Sequence, residues 1–177
     1  MDRFSKSITL LILAIGLFVI TGCSKYAGKW AYNHDPETVI LELDQKGNAI
    51  YKGQKYKYKE KEPFFELKDE NGNVINLRFR KEDGKLYIYE KSVYDYQGNG
   101  HAERLPGYWK SGNSSFEFTP EGKFMEDGVF TGVYSVDPEN MTFTLKYNES
   151  FADTECYYSI ENDQLRLEYP WCLVKAK

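Results

Sequence analysis

The chain has 177 residues, with 23 lysines and arginines against 27 aspartates and glutamates and a formal net charge of −4. That length suits one ordinary domain or two small ones, and the acidic balance lacks the basic footprint of a nucleic-acid binder, so no nucleic-acid partner is expected. Aromatic residues reach 16 %, with 15 Tyr and 11 Phe, which is the usage of a β-rich protein.

Arg3, Lys6 and the terminal amine place positive charge ahead of an apolar run from Ile8 to Ile20. As a helix that run spans about 20 Å at ~1.5 Å per residue, short of the roughly 30 Å hydrocarbon core of a bilayer. A basic start, a short apolar core and small residues at its end are the parts of a secretory signal, here residues 1–22. The run closes on Ile20-Thr21-Gly22-Cys23. These four residues resemble the bacterial lipobox. The resemblance implies cleavage between Gly22 and Cys23 and a diacylglycerol on the Cys23 sulfur. It also implies anchoring to the cell membrane on its extracytoplasmic face. Two acyl chains supply the two hydrophobic signals that stable anchoring needs. The alternatives are an ordinary signal peptide and an uncleaved anchor helix.

Residues 23–27 read as a tether before Gly28-Lys29-Trp30. From there the chain alternates with period two, the pattern of half-buried strands. Val39, Leu41 and Leu43 share a face, and Lys55 to Lys59 alternates strictly between Lys and Tyr. That stripe reads as solvent-facing lysines on an edge strand, placed to discourage pairing with other chains; a basic stripe that meets anionic lipid headgroups or cell-wall polymers is the alternative. Phe65 and Leu67 follow, then Ile75, Leu77 and Phe79, then Leu86 and Ile88, with turns at Asn71-Gly72 and Asp83-Gly84. Residues 92–106 break the alternation and read as a linker.

After Gly107-Tyr108-Trp109 the pattern resumes. Phe116 and Phe118, then Met141, Phe143, Leu145 and Tyr147, then Cys156, Tyr158 and Ile160 mark further strands. A turn at Asn162-Asp163 leads to Leu165, Leu167 and Tyr169, and Trp171 to Val174 reads as a last strand. Cys156 and Cys172 form an even pair in an oxidising exterior. If Ile160 pairs with Leu165, however, Cys156 faces Tyr169, three residues short of Cys172. A disulfide between Cys156 and Cys172 then requires a bend, for example at Pro170; two buried thiols are the alternative.

The halves 28–91 and 107–177 look like copies. Leu41 to Gly47 aligns with Phe116 to Gly122, Gly53 with Gly128, and Gly28-Lys29-Trp30 with Gly107-Tyr108-Trp109. Phe65 to Lys68 aligns with Phe143 to Lys146, and Asp83 to Leu86 with Asn162 to Leu165, in the same order. The expected fold is therefore all-β: an antiparallel meander in two tandem related barrel-like units, or one larger barrel built by both. The pattern resembles the small lipocalin-like domains of secreted bacterial lipoproteins. That resemblance implies that Trp30 and Trp109, near the start of each unit, plug one end of its barrel or curved sheet.

Catalytic signatures are missing. His34 and His101 lie in loop-like stretches beside Asp35 and Glu103, without a nucleophile elbow, a zinc-binding His pair or a phosphate-cradling glycine loop. No catalytic residue, metal or cofactor is expected. Tyr87 and Tyr89 lie on the face opposite Leu86 and Ile88, and Tyr94 and Tyr96 follow two residues apart; the four read as a binding surface or as rings buried between the units. The expected function is a non-enzymatic envelope lipoprotein that binds a small apolar ligand or an envelope protein. A structural or assembly lipoprotein is the alternative, and an envelope hydrolase has the least support.

Overall fold

The computed structural model describes residues 24–177, and within them the protein is entirely antiparallel β. The first half supplies β1 (Gly28–Tyr32), β2 (Asp35–Leu43), β3 (Asn48–Tyr51), β4 (Gln54–Lys61), β5 (Phe64–Lys68), β6 (Val74–Glu82) and β7 (Lys85–Tyr96). The second supplies β8 (Gly107–Ser111), β9 (Ser114–Phe118), β10 (Lys123–Glu126), β11 (Phe130–Asp137), β12 (Thr142–Tyr147), β13 (Thr154–Glu161) and β14 (Gln164–Lys175). Each strand pairs with the next, and β1 returns to β14, so the sheet closes on itself as one ring.

The ring is pinched by a further ladder between its two longest strands. β7 and β14 pair over ten positions, from Leu86 with Leu173 to Gln164 with Asp95. A walk from β1 to β7 and across β14 therefore returns to β1, and a walk from β7 to β14 returns to β7. Each circuit crosses eight strands, a number whose interior is just filled by side chains. The buried residues fall into two clusters accordingly. One gathers Tyr26, Trp30, Leu41, Phe65, Phe79 and Leu173; the other gathers Tyr94, Trp109, Phe116, Phe118, Phe143 and Leu165.

Turn chemistry positions these strands. Asp83-Gly84 and Asn162-Asp163 both hold positive φ at two successive residues, the geometry of a tight hairpin turn whose twist matches its strands. The second of these turns sets Ile160 opposite Leu165, the register expected from sequence. β4 carries the Lys–Tyr alternation with Tyr56 and Tyr58 buried and the lysines outside. It is paired on both sides, with β3 and β5, so the lysines do not guard an edge.

Other placements differ from the sequence pattern. Register shifts between β1 and β2 turn Ile40 inward and leave Val39 exposed. Ile75 and Met141 are also exposed; Met141 sits at φ 53° just ahead of β12. The expected linker contributes Ser92–Tyr96 to β7, and Trp171 to Val174 continue β14 instead of forming a separate strand. Pro170 lies opposite Tyr89 in the β7–β14 ladder, between the last β13 pair at Glu168 and the first β1 pair at Leu173, so on that other side of β14 no strand needs its missing N–H. Within the expected tether, Tyr26 is buried, its ring edge-on to Phe65 and Phe79.

Candidate functional site

The four tyrosines singled out in the sequence do not form one exposed platform. Tyr94 is buried in the second cluster, edge-on to Phe116 at 5.5 Å, and Tyr96 packs on Trp109 at 5.2 Å. Tyr89 is buried against Tyr157 of β13, and burial pushes its hydroxyl pKa up to about 12. Tyr87 is half-buried, with the Arg80 guanidinium 4.6 Å from its ring centre. Cys156 and Cys172 are both free thiols; Cys156 is buried, which pushes its thiol pKa up and leaves it unreactive. Gly22 and Cys23 lie outside the described residues. Trp30 and Trp109 are both buried, and each indole donates to the carbonyl four residues earlier, Tyr26 and Leu105, at 2.8 Å.

A cleft of about 480 Å³ opens on the outside of the ring where β6, β7, β13 and β14 meet. Its floor is a charged stack. The Arg78 guanidinium lies 3.8 Å from the Tyr157 ring and 4.7 Å from the Phe64 ring, and its Nε donates to Glu168 at 2.6 Å. Lys91 approaches the other oxygen of Glu168 at 3.4 Å. Arg78, Glu168 and Lys91 satisfy one another, while the exposed Arg166 also lines the cleft.

Each circuit also carries one carboxylate at its mouth. In the first, Glu90 accepts from Tyr32 at 2.6 Å, Tyr51 at 3.3 Å and the Lys52 ammonium at 2.8 Å. Burial, with Glu90 alongside, pushes the Tyr32 and Tyr51 hydroxyls well above the usual phenol range. In the second, Glu126 accepts from Tyr147 at 2.6 Å, and Tyr147 lies 3.4 Å from the Tyr169 hydroxyl. Burial raises the Glu126 pKa, with the Tyr147 hydrogen bond acting against it. A cleft of about 370 Å³ opens beside it, lined by Phe130, Phe151 and Thr154 as well as these residues. Sequence reasoning missed both acids. The signal was present for Glu90, an acid in phase with Leu86 and Ile88 on a strand whose other even positions point inward.

No family model matches the chain, and neither the curated proteins nor the solved structures contain a detectable relative. Among the described residues no three His, Cys, Asp or Glu side chains gather as a metal site.

The histidines separate. His34 stacks on Tyr32 at 5.2 Å. His101 does not use Glu103; its Nδ1 lies 2.9 Å from Asp163 of the β13–β14 turn, which also accepts from the Ala102 amide. The hydrogen bond and charge of Asp163 raise the His101 pKa, and Asp163 is lowered by the Ala102 amide first and by His101 second. The pair is strongest between the two values: it is lost below the depressed Asp163 pKa and fades as pH rises through the raised His101 pKa. Both groups are solvated, so the effect belongs to the loop and not to global stability. Asp163→Asn is expected to lower the His101 midpoint in an NMR titration; an unchanged midpoint would show that the contact does not persist in solution.

Proposed function

We propose that this is a lipid-anchored, non-enzymatic protein of a bacterial envelope, built from two tandem related β units. It binds an envelope protein partner on its outer surface and does not enclose a large apolar ligand. The observation that carries this reading is the filling of both circuits by buried aromatic and aliphatic side chains. A lipocalin-like carrier needs that space empty. The exterior, by contrast, presents the aromatic cleft around Tyr157, with Val93 and Met141 at its rim.

Duplication is supported by hydrogen bonds that recur at aligned positions. Besides the two indoles, the Tyr58 hydroxyl donates to the Asp44 carbonyl and Tyr134 to that of Thr119, both at 2.8 Å. The Tyr58 amide donates to Gly47 as the Tyr134 amide does to Gly122. The β7–β14 ladder is its own counterpart: exchanging each residue for its match in the other half turns Leu86–Leu173 into Leu165–Tyr94. That is the self-complementary pairing of a two-fold interface. Each unit thus lends the end of its last strand to close the other unit's circuit.

The anchor reading rests on the Ile20–Cys23 motif and gains a consequence from Tyr26. This buried ring lies three residues beyond Cys23, and Lys25 beside it pairs with Glu62 at 2.7 Å. A lipid on Cys23 would sit within about 11 Å of the first circuit at ~3.6 Å per residue, holding the end marked by Tyr26 and Glu62, away from the Glu90 mouth, against the membrane. Native mass spectrometry of the full chain, extracted in mild detergent from a bacterial host, tests both parts. The expected species begins at Cys23, carries a diacylglyceryl group that Cys23→Ala abolishes, and brings no apolar ligand with it. An unmodified Cys23 would sink the anchor, and a stoichiometric apolar passenger would sink the surface-binding reading.

A further inference from the structure

The two mouths differ in one respect that has a chemical meaning. Tyr51 and Glu90 face each other in the first, and at the aligned positions of the second stand Glu126 and Tyr169, the acid and the phenol exchanged. Lys52, whose ammonium neutralises Glu90, aligns with Asp127. The two turns share their backbone, with Lys52 at φ 49° before Gly53 and Asp127 at φ 52° before Gly128. In both, the amide of this residue reaches back across the hairpin, Lys52 to Ile40 and Asp127 to Ser115. The second mouth therefore keeps a desolvated carboxylate and has lost its ammonium. Among the described residues no Lys, Arg or His makes an ion pair with Glu126.

The walls around Glu126 are those a soft cation requires. Phe151 meets Phe130 edge-on at 5.6 Å and Tyr147 at 5.4 Å, and Tyr169 completes the lining. Phe130 and Phe151 keep 37 % and 53 % of their surface open, so their rings are available to a ligand. Aromatic faces attract a cation through their quadrupole, most strongly one that sheds its water easily, such as a substituted ammonium. The first mouth already shows the arrangement filled from within, with the Lys52 ammonium 5.6 Å from the Tyr51 ring centre and on Glu90.

We propose that the second mouth is a binding site for a small organic ammonium ion, held between the Glu126 carboxylate and the rings of Phe130, Tyr147, Phe151 and Tyr169. Glu126 supplies the charge, and the rings replace the hydration shell. Asp127 turns away, its Oδ1 accepting from Ser114 and from the Ser115 amide, and adds negative potential without blocking the cleft. The comparison between mouths rests on the duplicated-unit reading above, whereas the carboxylate and its rings do not.

The full chain in a non-ionic detergent is titrated with choline, with 3,3-dimethylbutanol as the uncharged isostere, and binding is followed by calorimetry. Choline is expected to saturate one site with a dissociation constant of about 1 mM or tighter, and the isostere is expected not to bind measurably. Glu126→Gln, which retains the acceptor for Tyr147, is expected to weaken choline at least tenfold with an unchanged melting profile. Asp127→Lys restores the residue of the first mouth and is expected to abolish binding by placing its own ammonium over Glu126. A soluble short-chain phosphatidylcholine, titrated separately, distinguishes the sources: tighter binding than choline assigns the cation to a lipid headgroup, and weaker binding to a free ion. No saturable choline binding, or equal binding of the isostere or by the folded Glu126→Gln protein, overturns the site. Undiminished binding by Asp127→Lys alone overturns the correspondence between the mouths.

Discussion

Trp109→Ala is expected to lower the melting temperature of the full chain by about 10 °C or more. The indole is fully buried, and its Nε1 donates to the Leu105 carbonyl at 2.8 Å. Its position makes it more than one core residue among many. β8 joins β7 through only two pairs, Asp95 with Lys110 and Tyr96 with Trp109, so this is a short seam in the second circuit. The Trp109–Tyr96 contact packs that seam from inside. Truncating a buried Trp or Phe to Ala costs about 3–5 kcal/mol, and the abandoned carbonyl adds about 1 kcal/mol. At ~2–4 °C per kcal/mol for a chain of this size, the melting shift follows. Loss is expected in one transition by far-ultraviolet circular dichroism, because β7 and β14 belong to both circuits and neither closes without the other. Trp109→Phe, which keeps a ring against Tyr96, should recover much of the loss. A shift under about 3 °C, or a melt that leaves one circuit intact, would contradict this account.

The parts of this fold that could be read from sequence are those written over a few adjacent residues. Tyr56 and Tyr58 point inward because a strand has period two, and Ile160 meets Leu165 because the Asn162-Asp163 turn admits one register. Long-range pairing carries no such mark. Nothing near Tyr94 says that it lies opposite Leu165, and a strand that serves two circuits changes its neighbours part-way along. The stretch 92–96 was therefore legible only as broken alternation, although its even positions still point inward. Tyr89 illustrates the same limit on the other face. It lies outside the inward pattern of Leu86 and Ile88, yet Tyr157 from the other half covers it. Val39 and Ile40 exchange roles through irregular pairing with β1, which hydropathy does not encode. The mouths were hidden for a different reason. Glu90 and Glu126 gain their meaning only from tyrosines brought there by other strands.

Gly132→Ala is expected to destabilise the protein by about 2 kcal/mol or more, a large effect for one added methyl group. Gly132 has no backbone conformation that demands glycine; the constraint is space. A Cβ there would lie 2.1 Å from the Lys146 carbonyl oxygen and 2.7 Å from the Phe124 ring. The oxygen belongs to the neighbouring strand β12 and cannot swing aside as a side chain can. The reason for the glycine emerges from the other half. Gly132 pairs across β10–β11 with Phe124, and under the duplication proposed above its counterpart is the β3–β4 pair of Tyr56 with Ala49. The same place in each circuit holds one ring and one small residue, with the ring contributed by opposite strands. Phe124 is buried and meets Tyr147 edge-on at 5.0 Å, and under that correspondence its ring stands where Tyr56 stands in the first circuit. Swapping the pair as Phe124→Ala with Gly132→Tyr should then cost less than the sum of the two single changes, because each alone leaves a void or a clash. Urea denaturation of the four proteins of this cycle reads the coupling directly. Gly128→Ala is the control: nothing lies within 4 Å of its added Cβ, so it should show only the cost of a positive φ of 69°. If Gly132→Ala is no worse than Gly128→Ala, or the two changes add without coupling, the exchange of ring and space between the circuits is not what holds this wall together.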